Sequence, residues 1–225
     1  MKTTQKTALV FDLDGTLVDS VYQHVLAWRE ALQEVGIQLS VWKIHRRIGM
    51  SGGLFAQGLL REMDQPMEQS LLERLQHLHS EFYKEKSHQV VPLPGAKELL
   101  KHLTDLNIPW AIATSGRMKS AGRTIETLEV PENVPVVTRD LVPYAKPNPD
   151  LFLEAVRQLK IDVNDAIVVG DSVWDLLAAR RARTLGVGLL SGGYGEEELE
   201  RAGAYRVYED PAELLRHLDE LGVRS

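Results

Sequence analysis

Read as apolar and polar positions, the chain has three stretches of different grammar. Ala8 to Phe11 is an unbroken run of four apolar residues, too short to span anything and suited to a buried strand. From Ser20 to about His88 apolar residues recur every three or four positions, and no strand is predicted there. Val21, Val25, Trp28, Leu32 and Val35 make one stripe that Gly36 ends, and Ser20 with Gln23 has capping-box spacing at its start. Further helices are predicted over Val41 to Ile48, from near Ser51, and from Ser70, which with Glu73 repeats the capping spacing. The last would turn Leu71, Leu75, Leu78 and Phe82 inward. Beyond Val90 to Gly95 helices and short apolar runs alternate. Strands are predicted at Trp110 to Thr114, Val134 to Thr138, Ala166 to Val169 and Leu185 to Leu189. Between them lie helices at Ala96 to Leu106, Met118 to Leu128, Pro149 to Leu159 and Val173 to Arg180, and Asp210-Pro211 with Glu213 opens a last one. Such alternation implies a parallel sheet with helices on both faces, an α/β doubly wound core.

The helical block follows the first strand directly, so it should sit over that strand's carboxyl end, where open α/β sheets bind ligands. It is expected to act as a lid, with hinges near Val18-Asp19 and near Val90 to Pro94. The expected division is a core of residues 1–18 and 90–225 and a cap of residues 19–89.

The chemistry begins where the first strand stops. Asp12 and Asp14 share one side of an extended chain, and at ~4 Å with an effective dielectric of ~20 they repel by about 4 kcal/mol. A cation, or chemistry that uses paired acids, would justify that cost; a polar turn capping the strand is the plain alternative. Three other polar sites fall at later strand ends: Thr114-Ser115-Gly116, Lys146 in Tyr-Ala-Lys-Pro-Asn-Pro-Asp, and Gly170-Asp171-Ser172-Val173-Trp174-Asp175. Singly these read as a helix cap, a surface lysine and another cap. In this order on one sheet edge they are far more specific.

Composition narrows the classes. The 225 residues suffice for one large α/β unit with a companion, 44% are hydrophobic, and 26% are charged. A net charge of −6 without a basic block disfavours nucleic acid. The chain has no cysteine, so disulfides and thiolate chemistry are excluded. The first residues lack the apolar core of a signal peptide and no apolar run approaches membrane length, so a cytoplasmic protein without membrane contact is expected.

From Ala8 to the C-terminus the chain resembles the haloacid dehalogenase superfamily. Asp-x-Asp-Gly-Thr at Asp12 to Thr16 is similar to its first motif, Thr114 to its second, Lys146 to its third and Gly170 to Asp175 to its fourth. The helical insert resembles the cap of phosphoglycolate phosphatases and β-phosphoglucomutases, and Asp14 is the mark of the phosphoryl-transfer branch. The resemblance implies a Rossmann-like core with an all-helical cap, and Mg²⁺-dependent hydrolysis of a small phosphomonoester, phosphoglycolate-like or sugar-phosphate-like. It implies Asp12 as nucleophile, Asp14 as acid and base, and Thr114 and Lys146 as further catalytic groups. Mg²⁺ would be held by Asp12, Asp171 and the Asp14 carbonyl, with Asp175 a direct or supporting ligand. Leu13, Asp14, Gly15, Thr114, Ser115 and Lys146 would bind the phosphate, through free amides around Leu13 to Gly15. His24, Arg46, Arg47 and Ser51 would select the substrate, a small phosphorylated metabolite. A monomer or a small homo-oligomer is expected.

Other readings compete. A phosphosugar mutase would use the same scaffold, but such members carry an arginine three residues after the cap-loop glycine, and Gly49 is followed by Met50, Ser51 and Gly52. A catalytically silent binding module is disfavoured because every motif position holds a competent residue. Gly49-Met50-Ser51-Gly52-Gly53 matches a serine-hydrolase elbow, yet a helical pattern precedes it where a strand is needed. Gly186-Val187-Gly188 lies inside a strand and is no dinucleotide fingerprint, and Gly192 to Gly195 reads as an ordinary loop. His77, His79 and His88 read as solvated, and Trp28 and Trp42 as cap core.

Overall fold

Strand β1 (Ala8–Phe11) is fully buried, as a run apolar on both faces requires. Leu9 and Phe11 point into one cluster and Val10 into another, the period-two division that puts a separate core on each face of a sheet. The computed structural model describes residues 7–62 and 68–223.

Four helices follow: α1 (Val21–Glu34), α2 (Val41–His45), α3 (Gly52–Glu62) and α4 (Gln69–Lys86). They form the cap around their own cluster, which includes Val25, Trp28, Ile44, Phe55, Leu59 and Leu75. Then come α5 (Ala96–Asp105), β2 (Trp110–Ala113), α6 (Met118–Glu126), β3 (Val136–Val137), α7 (Asp150–Leu159), β4 (Ala166–Gly170), α8 (Val173–Ala182), β5 (Leu185–Leu189), α9 (Glu196–Ala202), β6 (Ala204–Tyr208) and α10 (Pro211–Arg216). The six strands form one parallel sheet in the order β3-β2-β1-β4-β5-β6. The order reverses beside β1, and the carboxyl ends of β1, β2 and β4 frame that switch point. The two chain segments joining cap to core run antiparallel, with Asp19 N–H donating to the Val91 carbonyl and Leu93 N–H to that of Leu17, both at 2.9 Å.

Several expectations change on physical grounds. Ser20 does not cap α1, because its hydroxyl donates to Asp14 Oδ1 at 2.7 Å. Helix α4 begins at Gln69 and buries Leu72, Leu75 and Tyr83, a face one residue round from the expected stripe. That rotation brings His79 and Tyr83 against His24 of α1. Trp42 is 64% exposed, since a five-residue α2 can turn only one face inward and Ile44 takes it. Strand β3 keeps two residues, and Pro135 before it has no N–H for a ladder. The sequence reading missed α9 and β6; β6 is a half-exposed edge strand, whose apolar signal is weak. Among the described residues no helix is long and apolar enough to cross a membrane. The N-terminal segment read for a signal peptide, residues 1–6, lies outside the described residues.

Candidate active site

A tight turn seats the paired aspartates. After β1 the Leu13 carbonyl accepts from the amides of Thr16, Leu17 and Val18, and Gly15 holds φ at +85°. A Cβ at Gly15 would come within 2.5 Å of Asp171 Oδ2 and would strain the backbone, so the position calls for glycine. The Gly15 amide donates to the Val18 carbonyl at 2.8 Å, which corrects the expectation that it is free for phosphate. The Leu13 and Asp14 amides have no partner among the described residues.

Three strand ends bring the charged groups together. Asp12, from β1, and Lys146, from the loop after β3, form a buried ion pair, and Lys146 Nζ donates to Asp175 Oδ1 at 2.8 Å. The peptide bond from Lys146 to Pro147 is cis. Asp175, in the first turn of α8, also accepts from the Ser172 amide at 3.1 Å and from the Ser172 hydroxyl. Asp171, at the end of β4, accepts from the Thr16 hydroxyl at 3.0 Å. Carboxylate oxygens of Asp12, Asp171 and Asp175 lie within 4.8 Å of one another.

One ammonium cannot balance three buried carboxylates. Burial pushes the Asp12 carboxyl up, to about 7; Lys146 opposes the rise, while Asp175 and Asp14 add to it. Burial, then Asp175 and Asp12, hold Asp171 well above the usual carboxylate range. Burial works against the Lys146 charge, but Asp12 and Asp175 outweigh it and keep the amine above its ordinary value. An oxygen-only donor set with excess negative charge is what a hard divalent cation fits.

Asp14 lies apart from that cluster. Burial works to raise it, yet His24 and the Ser20 hydrogen bond prevail and hold it below the usual carboxylate range. His24 Nε2 stands 3.2 Å from Asp14 Oδ1. The Thr114 hydroxyl, at the end of β2, lies 3.5 Å from Asp14 Oδ2 and accepts from the Gly116 amide at 3.0 Å.

A cavity of about 230 Å³ opens between these groups and the cap, and Asp12, Asp14, Thr114, Ser115 and Lys146 all line it. Of the cap residues singled out in the sequence, His24, Arg47 and Ser51 line it, whereas Arg46 does not. The Arg46 guanidinium pairs with Glu198 of α9 and lies 4.5 Å from the centre of the Tyr194 ring. Its carbonyl accepts from Tyr194 Oη at 2.9 Å and Trp174 Nε1 at 3.2 Å. Arg46 therefore fastens cap to core. The Ser115 hydroxyl also bridges the two, donating to the Gly49 carbonyl at 3.0 Å.

A sequence model of the haloacid dehalogenase-like hydrolases matches residues 6–183. The chain belongs to that family. Hexitol phosphatase A of Escherichia coli K12 is 31% identical over 175 residues, covering 77% of this chain and 78% of its own. A phosphoglycolate phosphatase of Neisseria meningitidis is 31% identical over 196 residues, covering 85% and 83%. The crystal structure of a hydrolase from Pseudomonas syringae superimposes with a TM-score of 0.93 at 52% identity, over 96% of this chain and 99% of that one. The chain is thus a haloacid dehalogenase-like hydrolase whose relatives include phosphatases, and its capped architecture is shared with a solved member.

Two features of this haloacid dehalogenase-like site were not read from the sequence. His79, expected to be solvated, stands with its Nε2 3.2 Å from His24 Nδ1 and its ring 4.2 Å from that of Trp28. The loop at Gly192 packs so closely on Asp171 that a methyl group at Gly192 would collide with its carboxylate. The Gly192 carbonyl also meets His45 Nε2 of the cap at 2.8 Å. Ser51 precedes a helix with no strand before it, which disposes of the nucleophile elbow.

Proposed function

We propose that the chain is a Mg²⁺-dependent phosphatase acting on a small phosphomonoester through an aspartyl-phosphate. The observation that carries this reading is the meeting of three buried carboxylates and one lysine beside a second, separately held aspartate. The relatives' activities support a substrate of phosphoglycolate or sugar-phosphate type.

Asp12 attacks phosphorus and the ester oxygen departs with a proton from Asp14, which leaves the phosphoryl group on Asp12. Water then attacks that phosphorus, gives its proton to Asp14, and Asp12 is released with inorganic phosphate. His24 and Ser20 favour ionised Asp14. An incoming phosphate dianion works the other way, so the substrate itself promotes the acid form. Lys146 offsets negative charge on Asp12, Thr114 and the Leu13 and Asp14 amides donate to phosphoryl oxygens, and Asp175 positions Lys146 and the Ser172 turn. Asp12 and Asp171, with the Asp14 carbonyl, would hold Mg²⁺. When bound, that ion supplies positive charge for the phosphoryl oxygens.

Phosphate release from a panel of small phosphomonoesters with Mg²⁺ tests the reading. Asp12→Asn is expected to reduce turnover by about 10³-fold or more with the circular dichroism unchanged. Full activity in that variant, or no release from any ester by the native chain, would sink it.

A further inference from the structure

The groups at Asp12 would treat any phosphomonoester alike, so the leaving group has to be read from the cap side of the cavity. There, rings from three helices stack in series: Phe55 on Trp28 at 4.0 Å, Trp28 on His79 at 4.2 Å, His79 on His24 at 5.3 Å and His24 on Tyr83 at 3.8 Å. Burial, and then the charge of His24, hold His79 well below its ordinary value, so its ring adds no charge to the wall at neutral pH. His24 is already engaged by Asp14.

Beside the rings stand uncharged hydrogen-bonding groups. Gln76 donates through Nε2 to the Leu72 carbonyl at 3.3 Å, which leaves Oε1 to accept. The Ser51 hydroxyl accepts from the Leu54 amide at 3.4 Å and keeps its own proton to donate. Ser80 lines the same space. The first residues of α3, Gly52 and Gly53, present their backbone here too, and an N–H serves a hydroxyl or a carboxylate equally well.

Counter-charge separates the two. Three arginines reach the cavity, and each is committed elsewhere. Arg47 pairs with Glu62 and donates to the Lys43 carbonyl at 2.6 Å. Arg117 pairs with Asp140 at 2.8 Å, and Arg139 donates to the Val142 and Pro143 carbonyls. Lys146 sits between Asp12 and Asp175, while the carboxylates of Asp12 and Asp14 line the cavity. A second anionic group on the substrate would lose its hydration beside two carboxylates, and the cations lining the cavity already spend hydrogen bonds on other groups. Hydroxyl groups would find both donors and acceptors.

Building on the phosphatase reading above, we propose that the leaving group is a neutral polyol. The substrate class is then the phosphomonoester of a sugar or sugar alcohol, not of a carboxylic acid such as glycolate, and Ser51, Gln76 and Ser80 read its hydroxyls. Initial rates with the full chain and Mg²⁺ on sorbitol 6-phosphate, glucose 6-phosphate, 2-phosphoglycolate and p-nitrophenyl phosphate decide the matter. The better of the two polyol esters is expected to exceed 2-phosphoglycolate in kcat/KM by about tenfold or more, one lost charge or hydrogen-bond set. Equal or reversed values overturn the substrate class and leave the phosphatase reading standing. Phosphate release from none of the four, p-nitrophenyl phosphate included, overturns both. Two variants bear on the wall itself. Gln76→Leu with Ser80→Ala is expected to lower the ratio of kcat/KM for the polyol ester to that for p-nitrophenyl phosphate about tenfold. Gln76→Arg, which adds the missing cation, should move preference towards 2-phosphoglycolate. If neither ratio moves, these side chains do not read the leaving group.

Discussion

The core wall and the cap wall of the cavity are made from opposite materials. On the core side Asp12, Lys146, Asp171 and Asp175 are buried and ionisable, and every one is held by a partner from another strand end. On the cap side stacked rings and neutral amide and hydroxyl groups come from three helices, with few hydrogen bonds among them. The proposed function would account for the difference. Charge that must act on a reacting phosphorus has to be fixed beforehand, because reorganising it during reaction would forfeit the gain. A wall that only selects a leaving group can rely on shape and single hydrogen bonds, each worth about 1 kcal/mol.

That contrast can be broken at graded strengths. Lys146→Met is expected to have the largest effect on stability, about 3 kcal/mol or more at pH 7, because it strips the counter-charge from buried Asp12 and Asp175; urea denaturation measures it. A loss below about 1 kcal/mol would mean that the core wall does not depend on its lysine. Gly192→Ala removes no charge and adds one methyl group against Asp171, so kcat is expected to fall about 10²-fold through displacement alone. An unaffected kcat would show that the position of Asp171 is not rigidly set.

Effects on the cap should be smaller. Folding holds the His79 pKa below the ordinary 6.5, so above that pH neither state binds the proton. As pH falls below 6.5 the unfolded chain takes up a proton that the folded chain refuses, and stability declines by at most ~1.4 kcal/mol per pH unit. His79→Gln should remove that part of the decline, which urea midpoints between pH 7 and 5 would reveal. Arg46→Ala breaks an ion pair whose two side chains are more than a third exposed, so the expected loss is under about 1 kcal/mol. Thermal melts should shift only slightly, since the Trp174 and Tyr194 bonds go to the Arg46 carbonyl and survive the change.

The two walls also differed in how much of them the sequence disclosed. Asp12, Asp14, Thr114, Lys146 and Asp171 each end or follow an apolar run, and a parallel sheet sends all such positions to one edge; their convergence needed only the order of elements. The cap side offers no such rule. His24 and His79 meet across helices α1 and α4, and which face of α4 turns inward is set by packing, which the apolar stripe put one residue off. Arg46 read as a substrate cation because its partner Glu198 lies on α9, a helix the pattern did not reveal. Pairings between distant segments leave no local periodicity to read.

The position of β1 has a consequence for how the protein is made. It is the first of the described strands and lies in the middle of the sheet, with Leu9 paired to Trp110 on one side and Ile167 on the other. A nascent chain therefore carries Asp12 and Asp14 long before either neighbour of their strand exists, and closing such long loops slows folding. The cap helices, whose cluster is drawn from residues between Val21 and Leu75, emerge complete well before the sheet does. Lys146, Asp171 and Asp175 come later still, so a chain cut short before Lys146 has its cap helices and its first two acids but no charged cluster for them to join.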